Sequence, residues 1–221
     1  MPKSINRSLS TGVIQNGVAK LNGYENDIFI SYKRGAQTDD WVANYLAPLI
    51  RQWLPECRPP HWKTKVFIDR NISIGDIWQE TLQQNLAQSR ILLPVFSNPY
   101  FGSQWCLDEF MIMRERERIL GLNGKKLTSG IIYPLVFWDG DYFPDAAKEI
   151  EWRPMHKWAQ LSLNKKLRGS LEREIRVICE DLSKMIDAAP AFDPTWPVLR
   201  ESADTEHPEQ NMEQPFWGSH K

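Results

Sequence analysis

The sequence predicts an α/β protein built on a doubly wound, largely parallel sheet. Three observations carry this expectation. Short apolar runs, such as Ile28-Phe29-Ile30 and Val66-Phe67-Ile68, show no polar alternation, as strands covered on both faces do. Between these runs lie longer stretches with apolar residues at helical spacing. Strand and helix patterns alternate along the chain, and crossovers of this length make parallel, right-handed connections.

Residues 1–23 are polar, with Ser, Asn and Gly dispersed through them, and read as an arm. Residues 27–32 are the first strand, which stops at the basic loop Lys33-Arg34-Gly35. Thr38 or Asp39 then opens a helix with Trp41, Val42, Tyr45, Leu46, Leu49, Ile50 and Trp53 on one face. Pro55, Pro59 and Pro60 end it. The second strand is 64–69, followed by the turn-rich loop 69–76 and a helix over 77–88. The third strand is 90–96, and Pro94 predicts an irregular end or a local bulge.

Residues 97–103 read as a turn, with Asn98-Pro99 and Gly102-Ser103 as breakers and Ser103 as a helix N-cap. A helix follows from Trp105 and runs through the charge alternation 114–118, expected to be a solvated face. Residues 130–138 are the fourth strand. The aromatic, proline-broken stretch 142–158 hides a short helix and a weak last strand. Residues 161–186 form the last helix, with Leu167, Leu171, Ile175, Ile178, Leu182 and Met185 on one stripe. The domain is therefore expected over 24–189, with a proline-rich acidic tail at 190–221. Trp196, Val198 and Leu199 are the tail residues apolar enough to form a docking clip.

Composition narrows the function classes. The 221 residues are 42% hydrophobic and 25% charged, which suits one ordinary globular domain with extensions. A net charge of −1 supplies no basic field for nucleic acid or an anionic membrane. No apolar run reaches membrane-spanning length, and the first residues lack a signal-peptide core. Cys57, Cys106 and Cys179 are scattered and odd in number, which suits a reducing cytoplasm rather than a disulfide framework. Cys57 and His61 have the spacing of half a metal site, but no second pair follows, so no metal is expected.

Ligands of such sheets bind beyond the carboxyl ends of the strands. Three features converge there: Lys33-Arg34, the loop 69–76, and the stretch from Ser97 to Glu109. Glu109 follows Trp105 by four residues, so a carboxylate and an indole share one helix face. No glycine-rich phosphate loop and no Gly-x-Ser-x-Gly elbow is present. The four histidines fall in loops or the tail, which disfavours a histidine-based triad. What remains is a carboxylate, an indole and two cations. The cations suit phosphates, and the indole suits a positively charged heteroaromatic ring. A carboxylate near an anomeric centre can stabilise an oxocarbenium-like transition state.

The run from Asp27 to Tyr32 resembles the first box of Toll/interleukin-1 receptor (TIR) domains. Val66-Phe67-Ile68-Asp69 through Gly75 is similar to their second strand and BB loop. Ser97 with Trp105-Cys106-Leu107-Asp108-Glu109-Phe110 resembles the segment that carries the catalytic glutamate of NAD-cleaving members. The resemblance spans about residues 24–188, and the bacterial immune-effector type is the nearest in kind. It implies a flavodoxin-like sheet of about five parallel strands flanked by helices. It also implies NAD+ glycohydrolase or cyclase activity, with NAD+ as substrate and no cofactor. The catalytic role would fall on Glu109, ring contact on Trp105, and nucleotide contacts on Ser31, Lys33 and Arg34. The stretch 55–63 is more proline-rich than the family pattern, and the family's third, Phe-Trp box has only a loose counterpart in Phe137-Trp138 or Lys157-Trp158.

Partners implied by the resemblance are other TIR domains, with a downstream effector or an upstream sensor beyond them. Ile72 and Ile74, apolar in a polar turn, are the expected assembly contacts. Two other readings stand beside the enzyme: a non-catalytic assembly scaffold, and a nucleoside 2-deoxyribosyltransferase-like enzyme that also uses a carboxylate. Nicotinamide release separates the first, and nucleobase exchange the second.

Overall fold

The computed structural model describes residues 23–68, 78–122, 125–138, 140, 143–159 and 164–197. Five strands form one parallel sheet in the order β2-β1-β3-β4-β5. They are β1 (Asn26–Ser31), β2 (Val66–Ile68), β3 (Ser89–Phe96), β4 (Leu135–Val136) and β5 (Arg153–Pro154). This is the flavodoxin-like strand order, whose reversal of direction falls between β1 and β3. The expected doubly wound α/β sheet is the one observed. β1 and β3 are buried along almost their whole length, as their unbroken apolar sequences require.

Helices are α1 (Gln37–Trp41), α2 (Ala47–Trp53), α3 (Trp78–Ala87), α4 (Asn98–Phe101), α5 (Gln104–Ile119), α6 (Asp145–Lys148) and α7 (Lys165–Ala188). The chain steps outward from β1 to β2 and back across β1 to β3. With a constant right-handed crossover, the intervening helices fall on opposite faces. α2 shares its face with α7, where the Arg176 guanidinium lies 3.5 Å from the Trp53 ring centroid. Arg58 clamps the connection after α2 to the end of α7, donating to Asp187 at 2.7 Å and to the Ser183 carbonyl at 3.0 Å.

Two prolines change the local geometry. The helix expected to run unbroken to Trp53 contains a π-helical turn at Val42–Leu46, where the Ala47 N–H reaches back to the Val42 carbonyl. Pro48 follows directly; it has no N–H to give the Asn44 carbonyl, and its ring crowds that group. Pro94 stays inside β3, without a bulge, paired in register with Ser31. Leu92 and Phe96, of the same parity, direct their backbone groups towards β4. The donorless nitrogen of Pro94 therefore also faces β4, and the β1 ladder is complete. The β3–β4 pairing runs Leu92 with Ile132 and Val95 with Leu135, which puts Pro94 opposite Pro134 in the gap.

The alternation 114–118 is not the solvated face that the sequence suggests. Arg116 and Glu117 are buried, together with Glu109, Phe110 and Met113. These positions form an i, i+1, i+4, i+7, i+8 stripe, so the helical period carries the two charges inward. Glu117 accepts from Arg114 at 2.6 Å and from the Ile131 N–H at 2.9 Å, which ties α5 to the segment that leads into β4. Glu115 and Arg118 pair at the surface.

The first part of the expected tail packs on the domain. Tyr24 donates to the Pro190 carbonyl at 2.9 Å, and its ring contacts Phe192 and Trp196. Trp196 is buried, so a boundary at 189 cuts through packed structure. Val198, Leu199, residues 1–22 of the expected arm, and Ile72 and Ile74 lie outside the described residues. Among the described residues no helix is long and apolar enough to cross a membrane.

Candidate functional site

The switch point between β1 and β3 is where Glu109 is found. β1 ends at Ser31, which stands in register with Pro94 of β3. β3 runs on to Phe96, and the buried Ser97 turns the chain into α4. Ser97 is the capping side chain of this region, accepting the Tyr100 N–H at 3.3 Å. Ser103 takes the N-cap position of α5, as expected, but makes no side-chain cap bond. Asn98-Pro99 opens a short helix rather than a plain turn, with Pro99 in its first turn, where a missing N–H costs nothing.

Ser31 donates to Glu109 Oε2 at 2.5 Å, and its oxygen lies 2.9 Å from the Tyr100 hydroxyl. The first distance is that of a charge-assisted O–H to carboxylate bond. Glu109 is 6% exposed, Ser31 2% and Tyr100 0%, so this is a buried polar chain against the aromatic wall of Phe96, Phe101 and Phe110. Burial pushes the Tyr100 phenol well above its ordinary value, and nearby Cys106 and Glu109 add to this. Both effects disfavour the charged phenolate. The phenol therefore stays protonated.

The expected site residues separate into two groups. Glu109 and Ser31, 78 positions apart, are brought into direct contact. Ser31, expected to contact a nucleotide, gives its hydroxyl proton to Glu109. Trp105 is half-buried on the first turn of α5. Lys33 is half-buried and Arg34 exposed in the loop after β1, where the Thr38 hydroxyl holds the Lys33 carbonyl at 3.1 Å. Tyr100 is the site residue that the sequence reading leaves out. Its signal, three residues after Ser97, is local and carries no hint of Ser31.

A separate cleft at the amino ends of β1 and β3 is lined by Tyr24, Asp27, Trp62, Lys65 and Arg90. It lies at the opposite end of the strands from Glu109. Its charges are answered within it: Arg90 reaches Asp27 at 3.5 Å, and Asp27 also accepts from Trp62 and the Lys65 N–H. Arg90 lies over Tyr24, and Arg58 over Trp62. These contacts read as a structural brace.

Residues 26–123 match the family model described as TIR domain. Among solved structures, the chain is similar to the TIR domain of a Toll-related receptor from Hydra magnipapillata. That match has 15% identity and a TM-score of 0.47, covering 70% of this chain and 98% of that one. It is also similar to the TIR domains of the activated Roq1 resistosome, at 17% identity and a TM-score of 0.38, covering 74% of this chain and 96% of that one. No curated protein matches significantly.

Proposed function

We propose that this TIR domain cleaves the nicotinamide–ribose bond of NAD+, as a glycohydrolase or cyclase acting in immune defence. One observation carries the reading: a buried carboxylate, Glu109, held by Ser31 at the topological switch point of the sheet. In this reaction the bonding pair of the glycosidic bond leaves with nicotinamide, which departs as a neutral base. The ribosyl carbon is left with oxocarbenium character, and the Glu109 carboxylate opposes that charge. Water then adds and loses a proton to give ADP-ribose; attack by a nucleophile of the same nucleotide gives a cyclic product. Trp105 stacks on the pyridinium ring, and Lys33 and Arg34 take the phosphates.

The test is nicotinamide release from NAD+ by the full chain, with products identified by mass spectrometry. Release by the wild type and its loss in Glu109→Gln is the expected result. Nucleobase exchange without NAD+ turnover would replace the reading with a transferase, and no turnover of either kind would leave a scaffold.

A further inference from the structure

Ser31 has one hydroxyl proton and directs it at Glu109 Oε2. A serine hydroxyl donates once and accepts twice. Tyr100 must therefore be the donor in the 2.9 Å contact between the two hydroxyls. The chain has one direction, from Tyr100 through Ser31 to the carboxylate, and each bond polarises the next.

We infer that Tyr100 is a positioning residue for Glu109, acting through the Ser31 hydroxyl to fix the plane and the hydrogen bonding of the carboxylate.

Two features separate this from simple satisfaction of a buried phenol. The Tyr100 ring is held without its hydroxyl, between Phe96 at 5.3 Å and Phe101 at 5.2 Å between centroids. Its backbone is fixed as well, because Ser97 caps the helix that carries it. A phenylalanine would complete this packing. The hydroxyl instead meets a serine at the last position of β1, which sheet register places beside the end of β3. The phenol remains protonated at physiological pH, so the donor is permanent. The carboxylate is consequently oriented by sheet and short helix together rather than by its own rotamer alone.

The kinetic part of this inference rests on the proposed NAD+ cleavage, so the experiment has two arms. In the first, Tyr100→Phe lowers kcat about tenfold, the rate equivalent of one net hydrogen bond, with KM nearly unchanged. Ser31→Ala lowers it further, and the double variant equals Ser31→Ala, because Tyr100 acts only through Ser31. A merely structural hydroxyl moves the melting temperature and leaves kcat alone. The second arm needs no activity. In protein labelled at tyrosine Cζ, the Tyr100 hydroxyl proton resonance moves upfield in Glu109→Gln, where the charge ending the chain is removed. It is displaced or broadened by exchange in Ser31→Ala. A wild type inert towards NAD+ removes the proposed function, and the resonance then decides the inference by itself. A Tyr100 resonance unmoved by Glu109→Gln, or wild-type kcat in a folded Tyr100→Phe, overturns it.

Discussion

The Arg116 guanidinium lies over the indole of Trp196, 4.4 Å from the ring centroid. Arg116 is fully buried, and it donates to the Ser89 and Ala87 carbonyls at 3.3 and 3.5 Å. Ala87 ends α3, so the cation sits at the negative end of that helix. Burial pulls Arg116 down to about 10, and it stays charged at neutral pH. A buried cation held by carbonyls and a π face needs its aromatic lid. Trp196→Ala should therefore cost about 3 kcal/mol, at the lower end of the range for a buried tryptophan. A chain ended at residue 189 should lose at least as much, since Phe192 and the Tyr24 bond to Pro190 go too. Urea denaturation measures both. Wild-type stability in the truncated chain would show that residues 190–197 contribute nothing to the fold.

Glu109→Gln should abolish NAD+ turnover and leave the fold in place. The amide oxygen can still accept from Ser31, so the buried hydroxyl keeps a partner. The negative charge that opposes the oxocarbenium ion is gone, a loss of about two to three orders of magnitude in rate. Circular dichroism and nicotinamide release on the same sample check this together. Turnover near wild type in a folded variant would move catalysis to another residue.

Trp105→Ala should act on binding more than on chemistry. The side chain is half-buried at the start of α5, with an indole to offer a pyridinium ring. Losing a stacking contact worth about 1 kcal/mol raises KM roughly fivefold, with kcat nearly kept. If the variant is insoluble instead, the indole belongs to the core and has no ring to meet.

The sheet was legible because each buried strand is an unbroken apolar run and each helix keeps its period. Glu109 was legible because its local stretch, from Ser97 onward, joins turn chemistry to an apolar helix with a carboxylate inside it. Tyr100 was not, because its role depends on a contact with Ser31 across 69 positions, created by the register of β1 on β3. Arg116 was misread for a different reason. Alternating charge on a helix suggests solvent, yet counting back to Glu109 and Phe110 shows that Arg116 and Glu117 lie on their stripe. What the pattern could not supply was the compensating environment: one carbonyl from the end of α3, one from the start of β3, and an indole from beyond residue 189.

Self-association should raise activity, with Ile72 and Ile74 as the contacts. An isoleucine left in water forfeits roughly 1.5–3 kcal/mol relative to burial, which a neighbouring domain would recover for Ile72 and Ile74 if they meet it. If that contact is head-to-tail, it builds a ring or an open filament. Specific activity is expected to climb with protein concentration, and Ile72→Asp with Ile74→Asp should flatten that rise. Light scattering on the same series reports assembly. Equal activity at all concentrations, in both proteins, would count against any role for assembly.

Stability should fall steeply in alkali, through the half-buried Tyr24 and the buried Tyr100 and Tyr133. Tyr24, Tyr100 and Tyr133 are all raised above the ordinary value of 10.0, each chiefly by burial. Tyr133 also donates to Asp181 at 3.0 Å, and the nearby carboxylate opposes its ionisation. Above pH 10 the unfolded chain releases these protons while the folded chain keeps them. The folded state then binds more protons, so its stability drops as pH rises. Below pH 10 the contribution is fully present. Each such tyrosine steepens the fall by up to about 1.4 kcal/mol per pH unit. Tyr100→Phe and Tyr133→Phe remove titrating groups without emptying the core, so the double variant should lose stability less steeply above pH 10. Urea midpoints across the alkaline range, with phenolate absorbance followed in parallel, measure the slope. The absorbance should show these phenols ionising only as the chain unfolds. A double variant with the wild-type slope would mean that other groups drive alkaline unfolding.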